Sequence, residues 1–202
     1  MKIIIGTKNS AKFNRYKTIL SQMPNLEVLS LKDIHITLPI IPEDGMTAEE
    51  NASKKARAYA KYTGLSTLSV DEALYIGGLS PEQQPGTNVR RYKGKELTDD
   101  EMLNLYLGII KDIPPEKRTA TWIFAICLVL PNGQEFSEKV ELYEKLSEHP
   151  SLPIIPGYPL SSLIYSPVIG KIYRDFTPEE ESKRLRPIYK KVSKIIQAAK
   201  CL

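Results

Sequence analysis

The sequence predicts an α/β protein, a mixed β-sheet flanked by helices in one domain, or one domain with two lobes, over residues 1–202. Three observations predict it. Strand-like and helix-like segments alternate from Lys2 to Val70. An Asn132-Gly133 turn joins two long β-patterned runs. Finally, 42% hydrophobic and 26% charged side chains supply a sizeable core and are too apolar for a disordered chain.

Each element follows from its local pattern. Lys2–Ile5 is an apolar strand. Gly6-Thr7-Lys8-Asn9-Ser10 turns it into a helix from about Ala11 to Met23, with Phe13, Tyr16, Ile19 and Leu20 at helical spacing. Glu27 to Leu31 reads as a short strand, and 34–42, with two prolines, as extended chain. Thr47-Ala48-Glu49-Glu50 is a capping box that opens a helix running to Thr63, where Gly64 stops it. Its Ala52, Ala56, Tyr59 and Ala60 form a face that packs closely on a sheet. Ser66 to Val70 is the next strand and delivers Asp71 and Glu72 at its C-terminal end. Gly77 to Gly94 is loop-like. Leu97 to Ile110 is a helix capped by Thr98, with Asp99, Asp100 and Glu101 at its positive end. Arg118 to Pro131 is a long strand whose partner is Glu135 to Tyr143. His149 to Pro167 holds five prolines and is irregular. Thr177-Pro178-Glu179-Glu180 opens one helix. A last one, Pro187 to about Ala199, presents Ile188, Val192, Ile195, Ile196 and Ala199 on one face.

Composition excludes several classes. Basic residues number 28 and acidic ones 24, so the net charge of +4 demands no polyanionic partner. The longest apolar run, Trp122 to Leu130, suits a buried strand, not a membrane span, and Met-Lys-Ile-Ile-Ile-Gly reads as a strand, not a leader. Cys127 and Cys201 form no metal-ligand pattern, which points to a cytoplasmic protein with free thiols. Lys183, Arg184, Arg186, Lys190, Lys191 and Lys194 are either a nucleic-acid face or a solvated helix face. The neighbouring acids Glu179 to Glu181 favour the latter and make nucleic acid an unlikely partner.

Three features carry chemistry. Gly6 to Lys12 leads a strand into a helix N-terminus, where unpaired N–H groups and the dipole favour an anion and Lys8 and Lys12 add charge. The same pattern is also that of an ordinary strand–helix turn, and it is not a Walker loop. Glu43, just before a helix, and Asp71, after a strand, are two carboxylates that could hold Mg²⁺ against a polyphosphate, or simply helix-start and turn residues. Lys54, Lys55 and Arg57, with Asn51 a turn earlier, read on their own as a solvated helix face.

Together these residues resemble a known family. Thr7, Asn9 and Lys12 match the opening T-x-N-x-x-K of the inosine triphosphatase family, house-cleaning nucleoside triphosphate pyrophosphatases. Glu43 to Arg57 is similar to E-x-G-x-T-F-x-E-N-A-x-x-K-A-R, and Gly64-Leu65 through Leu74 to G-L-P-x-x-A-D-D-S-G-L. Gly77-Gly78-Leu79, Pro85-Gly86 and Arg91-Tyr92-Lys93-Gly94 resemble G-G-x-P-G-x-x-x-x-R-Y-x-G with a short insertion. Arg118-Thr119-Ala120, Pro131-Asn132-Gly133, Gly170-Lys171 and Thr177-Pro178-Glu179-Glu180 keep the family's order.

The resemblance implies an elongated central sheet, two lobes with the active-site cleft between them, and commonly a homodimer. It implies hydrolysis of a nucleoside triphosphate to monophosphate and pyrophosphate with Mg²⁺. Carried over, Thr7, Lys8, Asn9, Ser10 and Lys12 would contact phosphates. Glu43 and Asp71 would hold the metal, Asp71 also helping to activate water, and Asn51 and Lys55 would support the site. Asp71, Lys12 and Lys55 are the catalytic set; Tyr158, Lys171, Arg186 and Glu72 are further substrate contacts.

The departures cluster. The family's D-D-S reads Val70-Asp71-Glu72, so one acid is lost and a new charge stands where the serine was: a replacement metal ligand or a group repelling substrate. In the base-reading half, G-F-G-Y-D-P becomes Pro156-Gly157-Tyr158-Pro159-Leu160-Ser161, the lysine of P-E-E-K-N is Glu181, and S-H-R becomes Leu185-Arg186-Pro187. Tyr158 is the stand-in ring, and Arg184 and Arg186 are partial substitutes. The base preference is open, and the alternative reading is a nucleotide-binding relative with weak or no turnover.

Overall fold

The computed structural model describes residues 1–34, 37–92 and 94–201. The chain divides into two compact units. Met1–Glu72, Phe124–Val140 and Pro187–Leu202 make the first, and Ala73–Ile123 and Glu141–Arg186 the second.

In the first unit β1 (Lys2–Ile5) pairs parallel with both β2 (Glu27–Ser30) and β3 (Ser66–Ile76), with Ile3 opposite Val28 and Ser66. Ile3, Ile4 and Ile5 are all buried, as expected of a strand covered on both faces. Helix α1 (Ser10–Ser21) buries Tyr16, Ile19 and Leu20 of the expected stripe, and Phe13 is half-buried. Helix α2 (Ala48–Thr63) is as read: Thr47 and Glu50 form the reciprocal box, and Gly64 closes the helix in the left-handed region at φ 66°. Its Ala52, Ala56, Tyr59 and Ala60 are buried. Residues 37–45 have no regular secondary structure; the remainder of the expected extended stretch, 35 and 36, lies outside the described residues.

In the second unit α3 (Asp99–Lys111) carries the Thr98–Glu101 capping box and packs against a short helical turn at Pro159–Ser162. The loop-like stretch holds a small antiparallel pair, β4 (Arg91–Tyr92) and β5 (Lys95–Glu96), with Lys93 outside the described residues. The long hairpin is β6 (Thr119–Val129) and β7 (Glu135–Leu146), turning at Gly133 with φ 87°; its residues Phe124–Val140 belong to the first unit and its ends to the second. The proline-rich region is not wholly irregular. It supplies β8 (Ile164–Ser166), antiparallel to β7, and β9 (Lys171–Ile172) follows antiparallel to β8. The strand order β2-β1-β3-β6-β7-β8-β9 makes one seven-stranded mixed sheet.

Two expectations are corrected. The strand from Ser66 does not end at Val70 but runs to Ile76, so Asp71 lies within it. It continues because Ala73, Leu74 and Ile76 are buried and the Gly77 N–H donates to the Thr119 carbonyl at 2.9 Å. The two C-terminal helices are one, α4 (Pro178–Lys200), with Pro187 inside it. Proline removes the bond to the carbonyl four residues back and crowds it, a loss of about 3 kcal/mol. Burial of Leu185 and Ile188 on either side of the proline, and of Val192, Ile195 and Ile196 beyond, offsets that loss.

The basic residues of α4 do not form one cationic face. Arg184 is buried against Glu144, and Lys191 and Lys194 share Glu138. Among the described residues no helix is long and apolar enough to cross a membrane.

The two thiols differ sharply. Burial pushes the Cys127 thiol up to about 12, whereas Cys201 is exposed. At pH 8 Cys127 is therefore a protonated, inaccessible thiol. Ellman's reagent is expected to titrate one thiol in the native protein and two in guanidinium; two fast thiols in the native protein would contradict the burial of Cys127.

Candidate active site

Three segments of the first unit converge: the turn after β1, the approach and first turns of α2, and the middle of β3. Gly6 makes the turn possible because its backbone lies against β3. A Cβ there would stand 2.2 Å from Ser69 Oγ and 3.1 Å from both Thr67 Cγ2 and Tyr59 Cδ2. Gly6→Ala is expected to destabilise by about 1–3 kcal/mol, as overpacking does, and Ser69→Ala to return part of it. Denaturant midpoints of the single and double variants would check this, and an unchanged Gly6→Ala midpoint would refute it.

Beyond Gly6, Asn9 caps α1. Its Oδ1 accepts from the N–H groups of Ala11 at 2.9 Å and Lys12 at 3.0 Å, and its own N–H donates to Thr7 Oγ1 at 3.2 Å. Two of the helix N–H groups expected to await an anion are thus already engaged. Lys8 and Ser10 are exposed on the turn, and Lys12 turns toward β3, where its Nζ lies 3.6 Å from Glu72 Oε1.

Lys55 is the centre of the cluster. It is only 7% exposed, so it is not part of a solvated helix face. Its ammonium donates to Glu43 Oε1 at 2.7 Å, Asp71 Oδ1 at 2.8 Å and the Val70 carbonyl at 3.1 Å. Burial alone would lower its pKa, but the charges of Asp71 and Glu43 outweigh it and hold the ammonium above its ordinary value. Asp71 is also raised. Burial and the Glu43 charge push its carboxyl up, against the opposing pull of Lys55 and Lys12.

Asn51, one turn before Lys55 on the same face, is fully buried. Its Nδ2 donates to Asp71 Oδ2 at 3.1 Å and its Oδ1 accepts the Gly45 N–H at 2.8 Å. It thereby ties the loop that carries Glu43 to the strand that carries Asp71. Gly45 is required by this close approach, since a Cβ would lie 2.7 Å from Asn51 Oδ1.

The donor set fits a hard divalent cation. Two carboxylate oxygens meet at one cationic centre, the Lys55 ammonium. Among the described residues no group of three or more His, Cys, Asp or Glu is placed to hold a metal ion. A hard divalent cation held through one or two carboxylates can complete its shell with water and substrate phosphates.

Motif reading missed Arg15. Its Nη1 lies 3.4 Å from Glu72 Oε1, and its side chain is 7% exposed. One turn after Lys12, it adds a second buried cation beside β3; the i, i+3 spacing from Lys12 was the available signal.

The remaining expected residues belong to the second unit. Tyr158 sits in a turn braced by Arg90 and Asp99. The Gly157 N–H donates to Asp99 Oδ2 at 2.8 Å, and Arg90 bonds both Asp99, at 2.7 Å, and the Gly157 carbonyl, at 3.2 Å. Partial burial would raise the Asp99 pKa, but the Gly157 N–H and the Arg90 guanidinium prevail and lower it. Lys171 pairs with Glu180 at 2.7 Å, and Arg186 is exposed. Arg184, considered as a substitute reader of the base, is engaged elsewhere: its guanidinium forks onto Glu144 at 2.6 and 2.9 Å and covers the Tyr173 ring.

The model of the Ham1 family matches residues 3–151. The chain belongs to the Ham1 family. The dITP/XTP pyrophosphatase of Corynebacterium efficiens is 37% identical over 152 residues, 74% of this chain and 72% of that protein. That of Geobacter sulfurreducens is 33% identical, covering 74% and 73%. Among solved structures, the nucleoside-triphosphatase / dITP/XTP pyrophosphatase of Mycobacterium abscessus matches with a TM-score of 0.71 and 26% identity over 96% of this chain and 98% of that one. A HAM1 protein from Coxiella burnetii, 24% identical, shares the fold with a TM-score of 0.76 over 96% and 99%. The family match stops at 151, ahead of the segments at 156–162 and 181–187, while the structural match covers 96% of the chain.

Proposed function

We propose that this chain is a house-cleaning pyrophosphatase that hydrolyses a nucleoside triphosphate to its monophosphate and pyrophosphate with Mg²⁺. The single observation that carries the reading is the junction of Glu43, Asp71 and Lys55 beside Lys12, in a chain whose relatives are named dITP/XTP pyrophosphatases.

The geometry supports the following division of labour. Lys12 supplies positive charge to the phosphate chain, with Thr7, Lys8, Asn9 and Ser10 on the turn beneath it. Glu43 and Asp71 would hold Mg²⁺, which when bound neutralises phosphate oxygens and polarises the phosphorus centre. Asp71 also helps to activate the attacking water. Lys55 and Asn51 fix the orientation of both carboxylates. Tyr158, Lys171 and Arg186 are assigned to the nucleotide on family resemblance alone. A cytoplasmic location and a homodimer complete the reading.

The test is a panel of triphosphates, deaminated purines and the ordinary nucleotides included, incubated with and without Mg²⁺ and assayed for pyrophosphate. Release from one or a few, abolished by chelator, is the expected result. No pyrophosphate from any member would leave the alternative, a nucleotide-binding relative without turnover, which the negative charge of Glu72 at the phosphate-facing cations favours.

A further inference from the structure

We propose that Glu72 is an internal counter-anion that occupies the cationic phosphate subsite formed by Lys12 and Arg15, so that a polyphosphate must displace it in order to bind. The inference rests on the pyrophosphatase reading for the identity of the ligand, and on Arg15 as a subsite residue that no motif assigns.

Lys12 and Arg15 lie one turn apart on α1 and point to the same side. Both approach a single oxygen, Glu72 Oε1, at 3.6 and 3.4 Å. The three side chains are 20%, 7% and 11% exposed, so water screens them poorly. Two cations converging on one oxygen is the arrangement that recognises a phosphate oxygen. Here the anion comes from the strand next to Asp71, so the cluster is neutralised from within.

A triphosphate arriving at this subsite meets a carboxylate already in its place. Binding then requires the Glu72 carboxylate to leave both cations and find solvent, and like charges a few ångströms apart oppose the bound state until it does. Glu72 therefore weakens affinity for the phosphate chain. It does not set which base is chosen.

Inorganic tripolyphosphate without metal is the probe, titrated calorimetrically into the full chain at two salt concentrations. Glu72→Gln is expected to bind it about tenfold or more tightly than the unaltered protein, with a steeper salt dependence. Glu27→Gln, which removes the same charge from an exposed ion pair with Lys2, is expected to change nothing. Arg15→Gln is expected to weaken binding in either background. With the best triphosphate from the panel, Glu72→Gln should lower KM. Should Glu72→Gln fail to fold, Glu72→Ser and the Arg15 variant carry the test.

Unchanged or weaker tripolyphosphate binding in both Glu72 variants would overturn the proposal, as would an Arg15→Gln protein that binds as the unaltered one does. A triphosphate panel with no turnover would defeat the pyrophosphatase reading while leaving this binding comparison intact.

Discussion

Asp71→Asn is expected to yield a folded protein whose pyrophosphate release falls by about two to four orders of magnitude, the range typical of losing a positioned general base. Asparagine keeps the shape of the side chain and loses its charge and basicity. The fold survives because Lys55 keeps Glu43 and the Val70 carbonyl as partners, so no buried ammonium is orphaned. Circular dichroism and the thermal midpoint should stay close to those of the unaltered chain. Full activity in Asp71→Asn would remove Asp71 from the mechanism; a collapsed midpoint would make its role structural. Lys55→Met is expected to give the contrasting result. It would leave Glu43 and Asp71 facing each other with no cation between them, so stability should fall along with activity.

The largest effect on stability alone is expected at Arg184. Its guanidinium bonds both oxygens of Glu144, the two side chains are 4% and 3% exposed, and its carbon lies 4.2 Å from the Tyr173 ring centroid. Arg184→Met strands the Glu144 carboxylate in a dry environment, and breaking a buried pair in this way costs about 3–5 kcal/mol. For a chain of this size that is a drop in thermal midpoint of roughly 10 °C. The double variant Arg184→Met, Glu144→Leu should recover most of the loss, because the stranded charge rather than the missing attraction dominates. Scanning calorimetry of the single and double variants decides between these terms, and a single variant that melts with the unaltered protein would refute the assignment.

What was legible in the sequence was local. Helix α2 could be read end to end because its start and stop are chemical: the Thr47–Glu50 box and the left-handed Gly64. The β6–β7 hairpin followed from Asn132-Gly133, and the capping of α1 by Asn9 lies inside a motif that marked the loop for other reasons. What was not legible depends on partners distant in the chain. Glu72 reads from sequence as a replacement metal ligand or a group repelling substrate, and its pairing with Arg15, 57 residues away, is not visible there. On local pattern alone Lys55 reads as part of a solvated helix face and Arg184 as part of a basic cluster; Glu43 and Asp71 around the first and Glu144 beside the second are distant in the chain and explain their burial. The extension of β3 past Asp71 and the passage of α4 through Pro187 were likewise decided by tertiary packing that overrides local signals.

Lys55 has three N–H bonds to give, and the Glu43, Asp71 and Val70 oxygens take all three. It can offer a donor to an incoming phosphate only after one of those oxygens has been satisfied by something else. A divalent cation that draws the carboxylates away would free that donor; a nucleotide arriving alone would have to compete for it. If metal and nucleotide both bind at this cluster, they would be thermodynamically linked through one lysine, each raising the affinity of the other by the same factor. In the ligand-free protein the three donors of Lys55 and the three oxygens that surround it satisfy one another.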